Sequence, residues 1–145
     1  MNLIGQIINA MIAYYAGDVR RINHFLKVYG FAKAIGEMEG LDESTQEIIE
    51  IAALTHDIGI KNSEKKYNSS AGNYQQIEGP PEAKKLLEGL GIESSVIDRV
   101  CWLIAHHHTY TDIQGIDYQI LVEADFLVNF YEDNMSNDSV HSVGS

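Results

Sequence analysis

Cysteine is nearly absent from this chain. Cys101 is the only one in 145 residues, so no disulfide can form within the chain and oxidising export is not indicated. Positive charge is also scarce: ten Lys and Arg stand against 21 Asp and Glu, a formal net charge of −11. A field of that sign repels polyanions and excludes a general binder of polymeric nucleic acid. It leaves room for a small phosphorylated ligand, because a bound divalent metal inverts the local field. A membrane-length apolar run is missing too. Gln6 and Asn9 interrupt the first apolar stretch and no basic segment precedes it, so neither a signal peptide nor a membrane contact is expected, and the expected location is cytoplasmic. No internal repeat is present. With 45% hydrophobic and 21% charged residues, the remaining composition is that of an ordinary globular domain, long enough for one core.

What is present is helical periodicity. Leu3, Ile4, Ile7, Ile8, Met11 and Ile12 keep the spacing of one amphipathic face. Asp18 is placed to cap a second helix over residues 19–38, whose main stripe is Ile22, Phe25, Leu26, Tyr29 and Ala32. Ser44 and Glu47 resemble a capping box for a third helix. Residues 61–77 carry almost no apolar periodicity and read as a long loop, either a cover for a site or a tolerated insertion. Pro80 and Pro81 fit the first turn of a helix that ends near Gly89 and Gly91. Ser95 with Asp98 caps the next, and residues 118–131 form a last helix that is apolar nearly all round. These patterns predict an all-α, compact bundle of about six helices. It forms a single domain over residues 1–133, with a polar tail, 134–145, expected to be disordered.

Against this apolar background a few polar side chains need a reason. The strongest case is the helix ending in Leu54, Thr55, His56 and Asp57, where an imidazole and a carboxylate follow a run of isoleucine and alanine. Buried charges are normally paired or bound to a metal. His24 lies on an apolar stripe with Val28, Phe31 and Ile35. For a histidine alone, a core residue with a backbone partner is the simpler account. Asp125 sits mid-way along the apolar last helix, where either a metal or a salt bridge to Arg20 or Arg21 would keep it charged. Glu123 more simply faces solvent, and Cys101 fits the core. His106, His107 and His108 close another helix. Successive residues differ by about 100°, so one or two of them face inward. Glu78 precedes the two prolines, where a helix dipole alone would stabilise it.

His24 within RRINHFLKV, the doublet His56–Asp57 within LTHDIGIK, and Asp125 within LVEADFLV occur in the order that resembles the HD superfamily of metal-dependent phosphohydrolases. The resemblance implies a helical bundle in which His24, His56, Asp57 and Asp125 hold a first metal. Imidazole and carboxylate suit Mn, Fe, Ni, Co or Zn rather than a thiolate-bound ion. Members with two metals add further histidines. His107 and His108 look like one such element, while Glu78 stands where the other histidine is usual. The implied chemistry is hydrolysis of a phosphate ester or anhydride of a small substrate, a nucleotide being one candidate, by metal-activated water. Asp57 would bridge metals or orient water, and Lys61 would neutralise phosphoryl charge. Tyr67 and Tyr74 are candidates for stacking on a base. Two rival readings share the fold: a non-catalytic metal or nucleotide sensor, and a diiron oxygenase.

Overall fold

Apolar residues at helical spacing close into seven helices among the described residues: α1 (Leu3–Tyr14), α2 (Val19–Glu39), α3 (Glu43–Thr55), α4 (Ile60–Tyr67), α5 (Gly72–Gly89), α6 (Ser94–His106) and α7 (Ile116–His141). The computed structural model describes the backbone of residues 3–108 and 115–141, and side chains as far as Glu132. The fold is all-α, as the periodicity predicts. No described helix is long and apolar enough to cross a membrane.

α3 is the central element. Every residue from Ile49 to Ile60 is buried, and α3 packs against α1, α2, α6 and α7. Ile49, Ile51 and Leu54 are fully enclosed, as are Phe25 and Val28 of α2, Leu103 and Ile104 of α6, and Leu121 of α7. Each such side chain contributes about 1.5–3 kcal/mol on leaving water. The His-Asp doublet is therefore carried by the best-fixed segment of the chain.

Helix boundaries follow local chemistry, with several departures from the sequence reading. Asp18 caps α2 by accepting from the Arg21 amide at 3.2 Å, as expected. α3 starts earlier than the Ser44–Glu47 pattern suggests, because Asp42 accepts from the Thr45 amide at 2.9 Å. The Ser95–Asp98 cap is not used: α6 starts at Ser94 after Glu93, with no side-chain cap bond. α5 ends in a left-handed turn at Gly91 (φ 75°), which lets the Ile92 amide reach back to the Leu87 carbonyl at 3.1 Å.

The largest correction concerns residues 61–77, read as a loop and found mostly helical. α4 buries only Ile60 and Ser63 and carries Lys65 and Lys66 in its last turn, so its apolar stripe is one residue wide. Lysines there suit the helix dipole, which supports a helix that periodicity cannot reveal. α5 begins at Gly72, which places Pro80 and Pro81 inside the helix rather than in its first turn. An interior proline costs about 3 kcal/mol. Burial of Ala83 and Leu87 and the close packing of α5 on α6 offset it. At the other end, α7 continues to His141 where composition predicts a disordered tail from 134. Adding residues to an existing helix is far easier than nucleating one, so a polar sequence can prolong it. Residues 142–145 lie outside the described residues.

Candidate metal centre

Two helices end at the same place. His56 is the C-cap of α3 and His107 the C-cap of α6. In each, Nδ1 is 2.7 Å from a carbonyl of its own last turn, Ala53 for His56 and Ile104 for His107. A carbonyl only accepts, so Nδ1 carries the proton and the lone pair is left on Nε2. Both rings are fully buried, and neither Nε2 has a hydrogen-bond partner among the described residues. Unpaired buried nitrogens are costly, and two of them fully enclosed beside carboxylates point to a cation. The negative ends of two helix dipoles at one point favour the same ligand.

His24 is prepared differently. Its Nδ1 donates to Glu132 Oε1 at 3.0 Å, which directs Nε2 inward. Nε2 then lies 3.1 Å from Asp57 Oδ2 and 3.3 Å from Asp125 Oδ1. His56 Nε2 is 3.3 Å from each of the same two oxygens. Four of the expected ligands thus meet at one point. The other oxygen of Asp57, Oδ1, faces His107 Nε2 at 3.7 Å, and Asp57, His107 and His108 form a second group spaced to hold an ion. Asp57 lies between the two groups. Its own backbone is tied down by the buried Tyr15 hydroxyl, which donates to the Asp57 carbonyl at 2.6 Å.

His108 joins through α5. Gln75 spends its amide N–H on the Ser70 carbonyl at 2.6 Å, so its oxygen accepts from His108 Nε2–H at 3.0 Å and leaves Nδ1 with the lone pair. Two glycines make this approach possible. A Cβ on Gly72 would lie 2.8 Å from the His108 ring, and one on Gly59 would lie 2.6 Å from the Gln75 carbonyl and the Gly79 amide. His106 stays outside the centre, stacked on Trp102 with ring centroids 4.1 Å apart.

Without a cation, the facing carboxylates favour protons on His24 and His56, which a bound metal would displace. For His24, burial disfavours the charged ring, but hydrogen bonds to Asp125 and Asp57 outweigh it and raise the pKa from 6.5 to about 9. The same balance, burial against the charges of Asp57 and Asp125, holds His56 well above its usual range. Burial works against Asp57 and Asp125 as anions, yet the His56 charge brings both well below the ordinary carboxylate value. His108 goes the other way: burial and the neighbouring His107 lower it to about 4, a neutral ligand at pH 7.

Two expected residues are elsewhere. Lys61, expected to face the phosphoryl group, donates to the Tyr14 carbonyl at 3.1 Å and lies over the Tyr14 ring. α3 has ended before Asp57 and α4 starts at Ile60, so four residues of sequence do not place the two on one face. Glu78 is buried but joins neither metal-spaced group. Lys66 Nζ and the Tyr67 hydroxyl each donate to one of its oxygens at 2.9 Å, and Lys66 first, then Tyr67, lowers its pKa. Tyr67 and Tyr74 stack on each other, 4.2 Å between centroids. The salt bridge from Arg20 or Arg21 to Asp125 is also absent among the described residues; Asn129 donates to Asp125 instead, at 3.3 Å.

A cleft of about 770 Å³ opens on the cluster, lined by Asp57, His108 and Asp125 together with Arg20, Lys27 and Glu132. The sequence reading missed Glu132. Its signal was spacing: Asp125, Asn129 and Glu132 fall at i, i+4 and i+7, one polar stripe on α7. The family model of the HD domain matches residues 21–138. Among solved structures, a predicted HD superfamily hydrolase from an uncultured Thermotogales bacterium is similar at a TM-score of 0.67 and 26% sequence identity. The match covers 85% of this chain but only 66% of that protein's length. No curated protein matches.

Proposed function

This chain belongs to the HD-domain family, and we propose that it is a metal-dependent phosphohydrolase that cleaves a phosphate ester or anhydride of a small substrate. The observation that carries the reading is the pair of fully buried, unpartnered nitrogens, His56 Nε2 and His107 Nε2, on either side of Asp57. They fit a divalent transition ion of the Mn, Fe, Ni, Co or Zn kind. His24, His56, Asp57 and Asp125 would hold one ion, and Asp57, His107 and His108 a second. When bound, such an ion polarises a phosphoryl oxygen and supplies a hydroxide nucleophile near neutral pH.

The chain's own residues do the rest. Glu132, Ala53 and Ile104 fix the tautomers of His24, His56 and His107 by accepting hydrogen bonds from their Nδ1–H groups. Fixed tautomers of this kind sharpen both affinity and geometry. Asp57 presents one oxygen to each group, which supports a bridging role. The cleft leaves the centre open to a ligand, which favours catalysis over a closed sensor site. A carboxylate shared by two histidine-rich groups would serve a diiron oxygenase as well, and that is the second reading.

The test is a panel of phosphate monoesters, diesters and anhydrides offered to the protein loaded with Mn or with Fe. Hydrolysis that needs the metal and disappears in Asp57→Asn supports the proposal. Metal-loaded protein that turns over nothing on the panel, yet consumes oxygen in its iron form, would replace it with the second reading. The cytoplasm, an absence of nucleic-acid polymers as partners and a single domain over residues 1–133 complete the proposal.

A further inference from the structure

Among the described residues, one cation that lines the cleft meets no carboxylate. α2 turns Arg20, His24 and Lys27 toward the cleft, at i, i+4 and i+7 on one face. Lys27 Nζ is engaged by Glu132 Oε2 at 3.2 Å. Arg21, also in the lining, is shared between Asp18 and Glu64, each at 3.7 Å. Arg20 makes no hydrogen bond or ion pair with any described residue. It is exposed and lines the cleft, so its guanidinium is open to a ligand there. In the first turn of α2, where Arg20 lies, the Asp18 cap carboxylate is already engaged by the Arg21 amide and guanidinium. An anion arriving from the cleft would meet the Arg20 guanidinium uncommitted to any described residue.

Resting on the phosphohydrolase reading, we propose that Arg20 binds a second phosphoryl group of the substrate, so that the preferred substrates carry two. Arg20 starts four residues, about 6 Å, along α2 from His24. The reach of its side chain covers a phosphate joined directly through an anhydride as well as one at the far end of a small sugar. The shared chemistry is a dianionic group met by a planar guanidinium. No Phe, Tyr or Trp is among the described lining residues, whereas the amides of Asn23 and Asn129 are. The connecting part of the substrate is accordingly one recognised through hydroxyls rather than by stacking of a base.

The experiment is calorimetric titration of the metal-loaded protein, in buffer containing the same metal, comparing wild type with Arg20→Gln. Four probes are used: orthophosphate, pyrophosphate, fructose 6-phosphate and fructose 1,6-bisphosphate. For wild type, at least one probe with two phosphoryl groups should bind about tenfold more tightly than its counterpart with one, the scale of one charge-assisted contact. Arg20→Gln should abolish that margin while leaving orthophosphate affinity and metal content unchanged. Which pair shows the margin separates an anhydride from a spaced bisphosphate. A margin that survives in Arg20→Gln, or no margin in wild type, overturns the assignment of Arg20 and leaves the phosphohydrolase reading standing. If no phosphate probe binds the metal-loaded protein at all, that underlying reading falls and takes this one with it.

Discussion

Glu132 offers the most informative perturbation, since it touches the proposed metal only through His24. In Glu132→Ala, His24 loses the acceptor 3.0 Å from Nδ1. The ring is then free to rotate or to place its proton on Nε2, the atom that faces Asp57 and Asp125. Removing such an outer partner typically costs 10–100-fold in metal affinity. The Glu132 side chain is 32% exposed, so solvent screens the contact and the lower end of that range applies. The expected loss is about tenfold, or roughly 1.4 kcal/mol. Lys27→Met is the control, because it removes only the half-exposed partner of the other carboxylate oxygen. A surface pair of that kind is worth little, and an effect of about twofold is expected. The assay is metal titration against a competing chromophoric chelator at constant pH. Equal affinity in Glu132→Ala and wild type would refute the argument that this carboxylate sets the His24 tautomer.

Three further outcomes follow from particular contacts. Gly59→Ala would drive a methyl group into the backbone of α5, 2.6 Å from the Gln75 carbonyl, and should cost about 1–3 kcal/mol in urea denaturation; wild-type stability would mean that α5 does not lie where described. Lys61→Ala should leave turnover within about twofold, the scatter of surface substitutions, since Nζ is bonded to Tyr14; a large fall in kcat would restore Lys61 to the site. In chelator-treated protein, the raised His24 pKa makes its stabilisation complete below pH 6.5 and lost as pH rises through about 9. The lowered carboxylates Asp57 and Asp125 act in the opposite sense: their contribution is present above 3.8 and lost toward lower pH. Denaturant midpoints measured without metal should therefore decline from pH 6.5 to 9.5, and a rise over that interval would contradict the charge assignment.

The ligand cluster was legible because each member is a polar side chain on an apolar surface. His24, His56, Asp57 and Asp125 have to be explained by any reading of α2, α3 and α7 as buried helices, and the HD resemblance ordered them. Of the His triplet, sequence left the register open, and only the end of α6 at His106 decides that His107 turns inward. Residues 61–77 failed for a physical reason. α4 buries one apolar side chain, and its helicity comes from terminal charges and from its attachment to the rest of the fold. The position of α5 was equally hidden, since it depends on the backbone contact between Gly59 and Gly79, and a glycine leaves no hydrophobic signature. That contact presents Gln75 to His108. Spacing misled for Lys61 because a helix break falls between it and Asp57. The same spacing, applied within one unbroken helix, would have found Glu132 from Asp125.

The central claim is that the buried imidazoles and carboxylates form a metal centre with Asp57 between two ions. Elemental analysis of untagged protein, after supplementation and exhaustive dialysis, tests it most directly when paired with Asp57→Ala. The account predicts two transition-metal ions per wild-type chain and loss of both in the variant, with helical content retained. A wild-type chain that holds no metal, or an Asp57→Ala chain that holds as much as wild type, would contradict it.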